Sequence, residues 1–167
     1  MADAERRMSF SPAEIEPRLI FPHLAGRTRD AVLREMATSL AEAGVVPDGA
    51  SLAERLLKRE HEGCTGIGKG IAFPHCRVDG ISDAVLAVGR SVDGVDFGAP
   101  DGVPITVLFL LLSPKDAPAL HLQALARLTR VARAPGLLEE IRRAGSAGEI
   151  ATALRQADAA LTTAAAL

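Results

Sequence analysis

The chain has 167 residues, with 19 lysines and arginines against 21 aspartates and glutamates and neither tryptophan nor tyrosine; this is room for one ordinary core, with no basic or aromatic footprint for nucleic acid. Its two cysteines make no disulfide framework, the opening MADAERRMSF has no apolar stretch to act as a signal peptide, and the longest apolar run falls far short of the roughly 20 residues of a membrane helix. The expected location is the cytoplasm, without membrane insertion.

In chain order, residues 1–14 are polar, end in Ser11-Pro12 and read as a flexible N-terminal arm. Leu19-Ile20-Phe21 is a first strand stopped by Pro22, and His23 beside it is expected to be structural or solvent-facing. Thr28 caps a helix whose apolar positions Val32, Leu33, Met36, Leu40 and Ala41 recur at helical spacing until Gly44. Asp48 or Ser51 caps a second helix with Leu52, Leu56 and Leu57 inside; it ends near Arg59, at the mouth of the stretch that follows.

That stretch, Arg59 to Arg77, reads REHEGCTGIGKGIAFPHCR. Gly63, Gly66, Gly68 and Gly70 admit positive φ and close backbone approach, and successive free N–H groups in such a turn form a concavity suited to a phosphate. Ile71-Ala72-Phe73 is a short buried strand expected to halt at Pro74, which has no N–H to donate, so His75 is expected at a strand end. Near neutral pH much of an ordinary imidazole is uncharged, with one nitrogen free as nucleophile or metal ligand. A lone Pro-His is more often an ordinary residue; the glycine-rich setting singles this one out. Thr65 either offers its hydroxyl to a phosphate or stabilises the turn. His61, between Glu60 and Glu62, is expected to face solvent.

Beyond His75 the chain turns at Asp79-Gly80, runs β-like over residues 84–88 and turns again at Asp93-Gly94. The stretch from Val103 to Leu112, bounded by Pro104 and Pro114, has the continuous apolar, partly β-branched character of a central strand covered on both faces. The period then changes. Leu120, Leu122, Leu125, Leu128 and Val131 form one helical face, Leu137, Leu138 and Ile141 a shorter one, and Ser146 with Glu149 a capping-box start for a third. Residues 159–167 are expected to fray. The predicted class is α/β (α+β type): a single three-layer α/β/α sandwich with a mixed β-sheet.

Arg59, Thr65-Gly66-Ile67-Gly68, Gly70-Ile71-Ala72 and Pro74-His75, continued by FGAPDGVP at 97–104, VLFLLLSP at 107–114 and His121-Leu122 with Leu125 and Leu128, resemble the type-2 IIA components of the bacterial phosphoenolpyruvate-dependent phosphotransferase system (PTS). This is the fructose/mannitol class, which includes the nitrogen-regulatory IIA proteins. Lys69 stands where the family usually has Asn, Cys64 where Ser is common, and Cys76 where a small residue is usual. The resemblance implies a PTS IIA domain over residues 15–158 that needs no cofactor or metal. It implies that His75 accepts a phosphoryl group from a phosphohistidine carrier protein (HPr-like). His121 supports it, Arg59, Thr65, Gly66 and Gly68 bind phosphate, and the group passes to a Cys of a IIB partner or acts as a regulatory signal in nitrogen control. Two alternatives remain: a purely regulatory protein-binding module controlled by phosphorylation, and a zinc site from Cys64, His75, Cys76 and His121, whose ligand types suit the metal. The second lacks a CxxC knuckle, and adjacent strand residues such as His75 and Cys76 point to opposite faces.

Overall fold

A computed structural model of the chain describes residues 10–166, so residues 1–9 of the expected arm lie outside the described residues. Two short 3-10 turns, Pro12–Glu14 and Pro17–Leu19, lead into β1 (Ile20–Phe21). Helix α1 (Arg29–Glu42) starts where the Thr28 hydroxyl accepts the Ala31 N–H, and the chain leaves it through Gly44 at φ 75°. Helix α2 (Gly49–Glu62) is capped by Asp48, whose carboxylate accepts the N–H groups of Ala50 and Ser51. It runs three residues past Arg59.

The glycine-rich stretch forms a tight hairpin of β2 (Gly66–Gly68) and β3 (Ile71–Ala72). At Gly70, φ is 80° and a Cβ would lie 2.6 Å from Arg142 Nη2 and 3.1 Å from the Pro104 carbonyl oxygen, so only glycine fits. Then comes β4 (His75–Val78). Strand pairing stops before Pro74, as expected, but resumes at once beyond it: β3 and β4 both run parallel to β6 (Ile105–Pro114), each residue paired with the one 36 positions on, 71 with 107 and 75 with 111. The Pro74 carbonyl still accepts from the Leu111 N–H at 2.9 Å, so the proline removes one donor and leaves the register intact. His75 therefore stands at a strand end, as expected, but as the first residue of β4 rather than just past the last residue of β3.

The second expected turn is also different. Asp93-Gly94 lies inside β5 (Val85–Val95), which pairs antiparallel with β6, and the register shifts between Arg90 and Val95, with Gly94 at φ 78°. A positive-φ glycine serves a bulge as readily as a turn. The six strands form one mixed sheet, β1-β5-β6-β3-β2, with β4 beside β6.

Period-two alternation divides the core between the two faces of this sheet. Leu108, Leu110 and Leu112 of β6 pack with α1 and α2 through residues such as Met36 and Leu56. Val107, Phe109 and Leu111 face the other layer, α3 (Pro118–Ala132), α4 (Leu137–Arg143) and α5 (Ala147–Ala165), through Leu128, Ile141 and Leu154. The result is the three-layer α/β/α sandwich with a mixed sheet. Helix α5 opens with the Ser146 hydroxyl accepting the Glu149 N–H and continues through Ala165, within the stretch expected to fray. Leu122, read as an inner position, is 68% exposed; Ala124 takes the buried place in that turn. Buried Arg90 on β5 donates to the carbonyls of Pro22, Ile141, Arg142 and Ala144, tying the end of α4 to the sheet.

Candidate functional site

The last turns of α2, strand β4 and the first turn of α3 meet around an open cavity of about 720 Å³. His75 enters from β4 and His121 from α3, with ring centroids 5.4 Å apart and planes tilted by 47°. Arg55, Lys58, Arg59, Arg77 and Lys115 also line the cavity, against the single carboxylate of Glu62 among the lining residues. A more enclosed space of about 480 Å³ beneath Phe10 and Leu19 presents Glu14, Glu16 and Asp83 instead, and such a lining repels an anion.

His75 is held by its own strand. Its Nδ1 lies 2.8 Å from the Phe73 carbonyl oxygen, which can only accept, so Nδ1 carries the proton and Nε2 keeps its lone pair when the ring is neutral. Burial is the chief influence on its acidity and lowers its pKa from the ordinary imidazole value. The Phe73 hydrogen bond opposes this, the Arg59 charge adds to it, and Glu60 opposes it. His121 is shifted the same way, first by burial and then by the charges of His75, Arg77 and Arg59. Both rings are thus poised neutral at pH 7. The Nδ1 of His121 lies 2.5 Å from Ser113 Oγ. Among the described residues neither Nε2 has a protein partner, and no buried side-chain nitrogen or oxygen lacks one, so both Nε2 atoms open to the cavity.

Arg59, in the last turn of α2, donates to the Gly63 carbonyl at 3.0 Å and still lines the cavity. The structure thus brings Arg59, His75 and His121 together. It places the other expected phosphate-binding residues elsewhere. Thr65 is 5% exposed, its hydroxyl donates to Glu60 at 2.6 Å and its N–H to the same carboxylate at 2.7 Å, so both its donor protons brace the loop. Gly66 and Gly68 belong to the β2–β3 hairpin and do not line the cavity.

The anion at that hairpin is the chain's own. Asp101 accepts the Lys69 N–H at 2.8 Å and the Val103 N–H at 3.1 Å, and these two bonds lower its pKa. Arg142 clamps the same turn through the Lys69 carbonyl at 2.8 Å and the Thr106 hydroxyl at 2.9 Å.

His23 and His61 are exposed, as expected. Cys64 donates its thiol to the Phe97 carbonyl at 3.3 Å, whereas Cys76 packs toward the α1–α2 core, where burial pushes its pKa up to about 11. Among the described residues no three His, Cys, Asp or Glu side chains gather as a ligand set. Three residues that shape the site were not singled out by sequence: Glu60 was read only as a neighbour of His61, Ser113 was quoted only within the stretch VLFLLLSP, and Arg142 was not read at all.

One protein family, described as "Phosphoenolpyruvate-dependent sugar phosphotransferase system, EIIA 2", matches residues 15–157. The chain is 33% identical over 136 residues to the "PTS system fructose-specific EIIABC component" of Bacillus subtilis, covering 81% of this chain and only 21% of that protein. It is 34% identical over 125 residues to the "Nitrogen regulatory protein" of Pseudomonas aeruginosa, 75% of this chain and 81% of that one. Among solved structures, the nitrogen regulatory protein IIA-Ntr from Neisseria meningitidis superposes with a TM-score of 0.77 at 29% identity, over 86% of this chain and 97% of its own.

Proposed function

The chain belongs to the EIIA 2 family of the phosphoenolpyruvate-dependent sugar phosphotransferase system, and from that premise we propose that His75 is the phosphoacceptor of a phosphoryl relay. The observation that carries this reading is the Nδ1–H bond to the Phe73 carbonyl, which leaves the Nε2 lone pair facing a cavity rimmed by cations. A phosphohistidine on a small HPr-like carrier docks over this cavity, and Nε2 attacks the phosphorus in line. The N–P bond of the donor breaks as the new N–P bond forms, and the donor nitrogen keeps the electron pair. The proton on Nδ1 stays, and the Phe73 carbonyl holds the positive charge that the ring acquires. His121 and Arg59 steady the equatorial oxygens, since phosphoryl transfer depends mainly on positioning and electrostatics. No metal is needed in this step because donor and acceptor are both nitrogen nucleophiles.

The group then leaves to a thiolate of a IIB partner, or remains as a signal to a regulatory target. Similarity to nitrogen regulatory proteins over most of their length supports the signalling use as a second reading. Residues 15–158 are the domain that performs these steps, and its place is the cytoplasm. Among the described residues no helix is long and apolar enough to cross a membrane.

The test is incubation with phosphoenolpyruvate, the two general phosphotransferase proteins and radiolabelled phosphate, followed by peptide mapping. Label on the His75 peptide, labile in acid and stable in base, is the expected phosphoramidate. Base-labile label, or label on another peptide, rejects the assignment.

A further inference from the structure

Ser113 is the one polar side chain in its row on β6. On the face beneath α3 the row runs Val107, Phe109, Leu111, and the next position is Ser113, wholly buried and 2.5 Å from Nδ1 of His121. A neutral imidazole nitrogen either donates or accepts, whereas a serine hydroxyl has one hydrogen to place. Among the described residues the Ser113 hydroxyl has no other hydrogen-bond partner. If Nδ1 carried the proton and donated it, the buried O–H would be left without an acceptor, and such an orphaned donor is strongly disfavoured. The hydroxyl hydrogen therefore points at Nδ1.

We infer that Ser113 is a positioning residue: its O–H donates to Nδ1 of His121 and so fixes that ring with its proton on Nε2, as a hydrogen-bond donor toward a phosphoryl oxygen on His75. The two imidazoles, 5.4 Å apart, then hold opposite tautomers. Each has its Nδ1 anchored on an oxygen of the sheet, the Phe73 carbonyl for one ring and the Ser113 hydroxyl for the other. Each leaves its Nε2 to the cavity, one as a lone pair that bonds phosphorus and one as an N–H that meets oxygen. With its proton on Nδ1, His121 would turn a lone pair toward the same oxygens and repel them. The lowered pKa of both rings supports this division, because a protonated His121 has no tautomer to choose.

The role in transfer rests on the function proposed above; the tautomer does not, and the two are measured separately. In protein labelled with 15N at histidine, two-bond proton–nitrogen correlations at a pH above the imidazole range report which nitrogen carries the proton. The expected wild-type pattern is Nε2–H for His121 and Nδ1–H for His75. Ser113→Ala is expected to release the His121 ring into a mixture of tautomers, leave the His75 pattern unchanged and slow label entry about three- to tenfold, the worth of one ordinary hydrogen bond. Ser113→Thr, which keeps the hydroxyl, restores the Nε2–H pattern and most of the rate. An Nδ1–H pattern for His121 in the wild-type protein overturns the inference even if the alanine variant does not fold. So does a folded Ser113→Ala protein with unchanged tautomer and unchanged rate. If the wild-type tautomers are as expected and no label enters, the phosphoacceptor reading fails while the role of Ser113 in setting the ring stands.

Discussion

The β2–β3 hairpin and the His75 cavity are neighbours in sequence, and they differ in how their polar groups are spent. In the hairpin each strong group has found a partner inside the chain: Lys69 N–H on Asp101, Lys69 carbonyl and Thr106 hydroxyl on Arg142, Thr65 on Glu60. In the cavity two ring nitrogens and several cationic heads face open space. Chemistry needs groups whose bonding is unfinished, and rigidity needs groups whose bonding is complete. The first region is braced by its own bonds, and the second is left open.

The sharpest way to break this contrast is to remove the proposed nucleophile. His75→Ala is expected to abolish label entry while circular dichroism and urea unfolding stay within about 1 kcal/mol of wild type, since only one hydrogen bond to a carbonyl is lost. Entry at the wild-type level in a folded variant would mean that the open nitrogen is not the acceptor. Next in size is His121→Ala, which removes one donor to the phosphoryl oxygens, worth about 1–3 kcal/mol, and so slows entry and exit by about ten- to a hundredfold. His121→Gln keeps a donor and recovers part of that loss. A folded His121→Ala protein as inactive as His75→Ala would merge the two roles.

The hairpin is expected to respond in the opposite sense, in stability rather than rate. Arg142→Ala removes the clamp on the Lys69 carbonyl and the Thr106 hydroxyl, and unfolding in urea should show a loss of about 2 kcal/mol with label entry within about twofold of wild type. A large fall in rate at unchanged stability would show the hairpin taking part in transfer. A smaller gain is expected at Lys69, the non-glycine residue at φ 58°, where a lysine is strained. Lys69→Gly relieves that strain and stabilises by about 1 kcal/mol, read from the same unfolding curves.

The smallest expected change lies along the pH axis. Because burial lowers the pKa of both His75 and His121, label entry stays flat from pH 8 down to the ordinary imidazole range near 6.5 and falls only below it. Stability falls in that same lower window. There the unfolded chain, with unshifted imidazoles, binds protons that the folded site resists, so protonation favours unfolding. A rate that declines already between pH 8 and 7 would place the imidazole pKa above its ordinary value and contradict the burial of the site.

Much of the scaffold was legible where local chemistry decides the outcome. Thr28, Asp48 and Ser146 each cap the helix they were expected to cap, and the apolar run before Pro114 is the buried central strand. The reading was less complete where a distant partner decides. The positive φ of Gly94 suits a turn and a bulge equally, and only pairing with β6 chooses the bulge. Pro74 does remove a donor, but a parallel partner in constant register carries the strand past it.

At the site, Arg59, His75 and His121 were named from the sequence and lie together. Thr65 was named with them, yet the buried carboxylate of Glu60, five residues earlier, takes its hydroxyl proton. Ser113 carried no signal at all. A serine closing an apolar strand is unremarkable until helix α3 brings an imidazole onto it.

The pairing of β3 and β4 with β6 in one register bears on how, under the proposed function, a partner would tell the phosphorylated protein from the empty one. Both strands lie along a neighbour buried along nearly its whole length, and backbone paired to such a strand opens less readily than an exposed loop. The segment beneath His75 is therefore braced backbone, and a phosphoryl group on His75, as proposed, would be added to a surface already formed. Under the proposed function the phosphoryl group would bring about two negative charges, offset in part by the positive charge the ring acquires, so the face would become more negative by about one charge among five cationic side chains. A target that distinguished the two proposed forms would do so as an electrometer does, by the sign and density of charge over one small patch.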